Sequence, residues 1–126
     1  MDHHTNAFSP AQWEMMEHLW QSGSLTGREA AELMGQKMGW SRSTTLTHLR
    51  RMEEKGIVES HTENGTKTYS PSLPREDAVL QETESFLDRV YHGSISMMLS
   101  AVARKRSLSQ SEIDALHALL DEAERK

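Results

Sequence analysis

From Ser41 to Gly65 the chain sets out a capped helix, a glycine stop and a tight hairpin in immediate succession, an order that few folds accept. Ser41 stands where an N-cap belongs. Thr45, Leu49 and Met52 follow at helical spacing, with His48 beside them, and define an inward face. The opposite face is made of hydroxyls and cations: Ser43, Thr44, Thr47, Arg50 and Arg51. Lys55-Gly56 closes the helix with a cation in the last turn and a glycine suited to the left-handed cap. The period then switches from helix to strand. Ile57 to Thr62 and Lys67 to Ser70 alternate around Asn64-Gly65, the strongest short hairpin signal a sequence carries.

Two further helices are expected upstream. Ser9-Pro10-Ala11-Gln12 combines an N-cap, a proline at the first helical position and a Gln three residues after the cap. Trp13, Met16, Leu19 and Trp20 then give one apolar face, and Gly23 ends the segment. Thr26-Gly27-Arg28-Glu29 repeats the capping pattern ahead of Ala30, Ala31, Leu33 and Met34, until Gly35 and Gly39 interrupt. Three short helices and a hairpin amount to a winged helix-turn-helix, and its expected extent is residues 1–73.

After Pro71 and Pro74 the composition turns helical. Arg75 to Tyr91 carries Val79, Phe86, Leu87 and Val90 on one face. Ile95, Met97, Met98, Leu99 and Val102 follow His92-Gly93, and Arg104-Lys105-Arg106 breaks that segment. Ser109-Gln110-Ser111-Glu112 is a third capping box, opening a helix with Ile113, Leu116, Leu119 and Leu120 at near-heptad spacing. The fold class expected is therefore mainly α with a small β-hairpin, the second part being a helical region over residues 74–126. Three short segments joined by brief turns cannot bury these faces on themselves, whereas the same tail of a second copy can. A two-fold homodimer is predicted, with Phe86, Leu87, Val90, Met98, Leu99, Val102, Ile113, Leu116, Leu119 and Leu120 in its interface.

The chain has 126 residues, 36% of them apolar, so its core must be small. The absence of cysteine removes disulfides, thiolate metal sites and cysteine nucleophiles, and fits a reducing cytoplasm. No apolar run approaches the roughly 18 residues of a membrane span, and Met1-Asp2-His3-His4 has neither the basic nor the apolar region of a signal peptide. A cytoplasmic protein is expected. The net charge of −5 argues against a nucleic-acid partner until its distribution is considered. From Lys37 to Lys67 there are six basic groups (Lys37, Arg42, Arg50, Arg51, Lys55, Lys67) against four acids, so positive charge gathers around the third helix.

A helix that enters the major groove needs side chains that reach base edges and cations that meet phosphates along its flanks. Ser43, Thr44 and Thr47 exchange hydrogen bonds with bases or phosphates in such a pose. Leu46 and the threonine methyls meet thymine methyls, and Arg42, Arg50 and Arg51 reach phosphate or guanine. Asn64 and Lys67, with His61, belong to the hairpin and suit the neighbouring backbone, where contacts position the protein without reading sequence. With so few cations, tight binding depends on dimerisation and base contacts.

At this point the residues resemble a known family. Thr44, Thr47, Leu49, Arg51, Met52, Lys55 and Gly56, followed by Ile57-Val58, resemble the T-x-x-T-x-L-x-R-L-x-x-K-G pattern of the penicillinase-repressor (BlaI/MecI/CopY) family of winged-helix regulators. Trp13-Glu14-x-Met16-x-x-x-Trp20, Tyr69-x-Pro71 and Phe86-Leu87-Asp88-x-Val90-Tyr91-x-Gly93 are similar to that family as well, so the likeness runs from Phe8 onward. The resemblance implies dimeric repressors that bind dyad operators in double-stranded DNA through the third helix. It also implies that Ser43, Thr44, Leu46, Thr47 and Arg51 occupy DNA-contacting positions. Resistance-type members carry basic residues where this chain has Ser43 and Leu46, so their operator does not transfer. Those members are also inactivated by cleavage between Asn and Phe in the tail, at a position that aligns with Ala101-Val102 here. Copper-responsive members use C-terminal cysteines, which this chain lacks. The inducing signal stays open, and a neighbouring membrane sensor or protease is one route to it.

Other classes fit less well. Seven histidines are scattered without the paired spacing of a zinc enzyme, Glu53-Glu54 and Asp121-Glu122-x-Glu124 read as solvated faces, and no phosphate-binding glycine loop occurs. No enzyme, metal or cofactor is expected, and His3-His4 is at most a weak metal ligand. Trp13, Trp20 and the methionines suit core and interface packing. Trp40 either staples the third helix or rests on the DNA backbone. The main rival is a winged helix that binds proteins and never touches DNA, which the acidic total would suit.

Overall fold

A computed structural model describes residues 8–125 of the chain; the His3-His4 pair and the Met1 to His4 stretch lie outside them. The elements run α1 (Pro10–Ser22), β1 (Leu25–Thr26), α2 (Gly27–Met38), α3 (Arg42–Glu54), β2 (Val58–Glu63), β3 (Thr66–Pro71), α4 (Arg75–Tyr91), α5 (Ile95–Lys105) and α6 (Gln110–Glu124). By packing, the chain divides between Ser85 and Phe86, inside α4, into two compact units.

Local chemistry sets the helix starts. Ser9, Thr26 and Ser109 each accept the backbone N–H three residues on, while Gln12, Glu29 and Glu112 return to the cap N–H, so each first turn has two otherwise orphaned donors satisfied. Helix α2 runs on through Gly35 to a left-handed Gly39, so Gly35 does not interrupt it as expected: its exposed position needs no side chain. Likewise α5 continues through Arg104 and Lys105, cations that suit the negative end of a helix, and stops at Arg106. Gly56, at φ +82°, follows α3 as its glycine stop.

The sheet has three antiparallel strands in the order β1-β3-β2, one more than the sequence suggested. Leu25 pairs with Tyr69, which pairs on its other side with Ser60; Leu25, Tyr69 and Val58 are buried beneath the sheet. Pro71 ends β3 as a strand residue opposite Val58, where its missing N–H leaves the ladder intact at its margin. Asn64 (φ +52°) and Gly65 (φ +78°) both take left-handed backbone, the two-residue turn that matches strand twist.

The core of the first unit gathers Met15, Met16 and Leu19 of α1, Ala30 and Met34 of α2, Leu49 and Met52 of α3, and Ala78 of α4. Trp13, Trp20 and Trp40 pack on its rim, half-buried. In the second unit, α5 and α6 contain no buried residue.

Candidate nucleic-acid interface

Helix α3 is anchored from within, and that anchoring decides what it offers outward. Thr45, Leu49 and Met52 are fully buried. Thr45 donates its hydroxyl to the Ser41 carbonyl at 3.1 Å, which satisfies the buried polar group on the helix's own first turn. With the inner face fixed, Arg42, Ser43, Thr44, Arg50 and Arg51 are exposed and Thr47 is half-exposed, as the 3.6-residue period requires. Ser41 Oγ accepts the Thr44 N–H at 3.2 Å and lies 3.0 Å from Thr44 Oγ1 and 3.3 Å from Ser43 Oγ, giving a cluster of hydroxyls at the start of the helix.

Ser43, Thr44, Thr47, His48 and Arg51 line one shallow hollow of about 250 Å³ along the outer face. His48 forms its inner wall. The imidazole stacks on Trp40, with ring centres 4.1 Å apart and 20° between planes, and Trp40 packs against the core. Trp40 therefore staples α3. Burial, and secondarily the Arg51 charge, hold the His48 pKa below its ordinary value, favouring the neutral ring.

A larger hollow of about 610 Å³ lies between the start of α2, the start of α3 and the hairpin tip; its walls include Gly27, Arg28, Arg42, Leu46, Gly65, Lys67 and Tyr69. Three cations, Arg28, Arg42 and Lys67, meet there. The acid in the wall, Glu29, accepts the Thr26 N–H at 2.8 Å in the capping box. The Lys67 ammonium lies 5.4 Å from the centre of the Tyr69 ring, which holds it beside the hollow. Leu46 is half-buried rather than free: a Cβ added to Gly27 would come within 3.1 Å of its Cδ2, so the leucine closes the gap between α2 and α3.

The expected residues thus fall into two groups, Ser43, Thr44, Thr47 and Arg51 along the outer face and Arg42, Leu46 and Lys67 in the basic hollow. Arg50 lines neither, and Asn64 serves the turn with its backbone. Arg28 and the start of α2 were missing from the expected set. Its place in the hollow follows from how α2 packs against α3 and the hairpin, which the Thr26 to Glu29 capping box does not encode.

Among the described residues no group of three or more His, Cys, Asp or Glu side chains is placed to hold a metal ion, and no helix is long and apolar enough to cross a membrane. The aligned cleavage position, Ala101-Val102, lies inside α5.

The penicillinase-repressor family model matches residues 8–122. The penicillinase repressor of Bacillus licheniformis is 30% identical over 114 residues, covering 90% of this chain and 89% of that protein. The methicillin resistance regulatory protein MecI of Staphylococcus aureus (strain N315) is 26% identical over 121 residues, covering 96% and 98%. The DNA binding domain of the repressor BlaI superposes with a TM-score of 0.51 at 28% identity, over 56% of this chain and 85% of that one. A MarR family protein from Bacillus stearothermophilus, with a TM-score of 0.50 at 22% identity over 97% of this chain and 76% of its own, shares the fold. With a matching model across nearly the whole chain, a winged-helix architecture and a basic, hydroxyl-rich third helix, this protein belongs to the penicillinase-repressor family.

Proposed function

We propose that the protein is a cytoplasmic, homodimeric transcriptional repressor in which residues 1–73 read DNA and residues 74–126 pair with a second copy. The observation that carries this is the exposed hydroxyl and arginine face of α3, flanked by the hollow where Arg28, Arg42 and Lys67 converge. In this reading α3 enters the major groove. Ser43, Thr44, Thr47 and Arg51 meet base edges or phosphate, and the basic hollow receives the neighbouring backbone. Asn64 and Arg50 add peripheral phosphate contacts. Each half-site of an inverted repeat takes one subunit, the two separated by about one helical turn or a multiple of it.

Repression needs no chemistry, since an occupied promoter excludes polymerase. Ser43 and Leu46 give this chain its own operator preference, with Leu46 offering apolar contact but only along its free edge. Induction by cleavage at Ala101-Val102 would require α5 to open locally, because a protease needs extended backbone.

The test is selection of bound fragments from sheared host genomic DNA, followed by titration of the enriched fragment at several salt concentrations. An inverted repeat near a promoter, bound less tightly as salt rises, is expected. Failure to enrich any fragment at low salt would overturn the proposal and leave the acidic surface implied by the −5 net charge as a place for a protein partner.

A further inference from the structure

Helix α4 begins at Arg75, and its first turns are fastened to α1 by side chains that take no part in the DNA-facing surface. Trp20 donates its indole N–H to the Leu73 carbonyl at 2.8 Å, just before the helix starts. Arg75 then forks onto Glu17, Nε to Oε1 at 2.9 Å and Nη2 to Oε2 at 3.0 Å, with its guanidinium carbon 5.9 Å from the centre of the Trp20 ring. Glu17 also accepts the Trp13 indole N–H at 3.2 Å, and Trp13 meets Trp20 edge to face at 5.3 Å. Further along α4, Glu82 accepts the Phe8 backbone N–H at 2.8 Å, and Ala78 between the two attachments is fully buried. The Arg75 hydrogen bond holds the Glu17 carboxyl below its ordinary pKa, so the fork is charged on both sides near neutral pH.

The first half of α4 is thus held at several points, all of them within the first compact unit. Between Arg75 and Tyr91 there is no glycine or proline, the residues at which helices most often kink. Phe86 and Val90, on the same helix, begin the apolar face assigned above to the second copy.

We infer that Glu17, Trp20, Arg75 and Glu82 are positioning residues that fix the direction in which the dimerising helix leaves the DNA-reading unit, and so set the half-site spacing the dimer accepts. The inference rests on the dimeric, operator-binding reading above. One inserted base pair turns one half-site about 35° around the helix axis and moves it about 3.4 Å along it. A stiff connection resists that displacement and a loose one follows it. None of the four side chains touches the recognition face, so their loss should alter spacing tolerance and leave the reading of one half-site alone. An exposed ion pair by itself is worth little, so attachments are best removed together.

The experiment uses the full chain and the inverted repeat recovered from genomic DNA, at its native spacing, with one or two base pairs inserted, and as a single half-site. Wild type is expected to bind the altered spacings about tenfold more weakly than the native one. In the Arg75→Met, Glu82→Leu double variant this penalty should shrink to about threefold, with half-site affinity within about twofold of wild type. If the double variant loses its fold, Trp20→Phe carries the same comparison, because it keeps an aromatic ring and removes the donor to Leu73. An undiminished spacing penalty in the folded variant, or a half-site loss equal to the loss on the full repeat, would overturn the inference. No selective DNA binding by wild type would instead overturn the repressor reading, and this inference with it.

Discussion

His48 is the one histidine of α3, and its burial against Trp40 couples its protonation to the stability of the fold. Its Nδ1 is buried without a hydrogen-bond partner among the described residues, and its ring lies flat on Trp40. Burial and then the Arg51 charge lower its pKa below the ordinary 6.5. Below about pH 6.5 the unfolded chain therefore binds this proton more readily than the folded one, so the stability contributed by the neutral ring is present above that pH and lost as pH falls through the folded value. Glu17 shifts in the same direction from 4.5, and its window lies below that of His48. The thermal midpoint should fall between about pH 7.5 and pH 5.5, and His48→Gln should flatten that slope. An equal slope in the variant would mean that His48 does not carry the effect. Arg51 tests the outward face at the same position on the helix. Arg51→Ala should weaken operator binding by about 1 to 3 kcal/mol if it reaches a base, or reduce the salt slope by about 1 if it meets a phosphate, as titration at several salt concentrations would read. A protein-only winged helix would show neither change.

The hairpin is an element whose backbone leaves little choice of residue. Gly65 sits at φ +78°, where a side chain strains against the following carbonyl, and open space around its Cα means that the strain is purely conformational. Gly65→Ala should therefore cost about 1 to 2 kcal/mol and lower the thermal midpoint by several degrees. Because Gly65 and Lys67 share the basic hollow, operator affinity should also drop modestly; calorimetric unfolding and DNA titration check the two effects separately. This turn was legible in the sequence because Asn-Gly states its own geometry, and the three capping boxes were legible because each pairs a cap with a Gln or Glu three residues on. What was hidden has physical causes. Strand β1 is two residues long, too short to display a period, and forms because Tyr69 and Thr68 have free partners on their far side. Met15 is buried beside Met16 because α1 is covered over more than one narrow stripe, whereas Trp13 and Trp20 stay on the rim so that their N–H groups reach Glu17 and Leu73. For the interface, the polar face of α3 could be read from its period, but the arrival of Arg28 beside Arg42 and Lys67 depends on how α2 and the hairpin pack, which no local pattern encodes.

For the molecule as a whole, the helical tail presents apolar side chains that a single copy leaves in water. Leu119 and Leu120 are 64% and 58% exposed, Ile95 and Met97 are 59% and 56% exposed, and neither α5 nor α6 buries a single residue. Phe86, Val90 and Val102 are exposed too, while Leu87, Met98, Leu99, Ile113 and Leu116 are half-buried. Leaving a leucine in water forgoes about 1.5 to 3 kcal/mol of burial, so this many exposed apolar side chains suit a surface that another copy covers. If a second copy covers this face, Leu119→Glu with Leu120→Glu should place charges in the interface and convert a dimer to a monomer in sedimentation equilibrium. The winged unit has its own core and should keep its circular dichroism signature. Such a dimer would gain on an inverted repeat because the second half-site is bound as an intramolecular step, worth about a hundredfold or more in apparent affinity. The charged variant should lose that gain on the full repeat and bind an isolated half-site as wild type does, and wild-type thermal stability should rise with protein concentration where that of the variant does not. A wild-type chain that sediments as a monomer, with a midpoint independent of concentration, would remove the two-fold model. The affinity then left to explain would have to come from Arg28, Arg42, Arg51 and Lys67 on one half-site, a number of cations too small for tight binding at physiological salt.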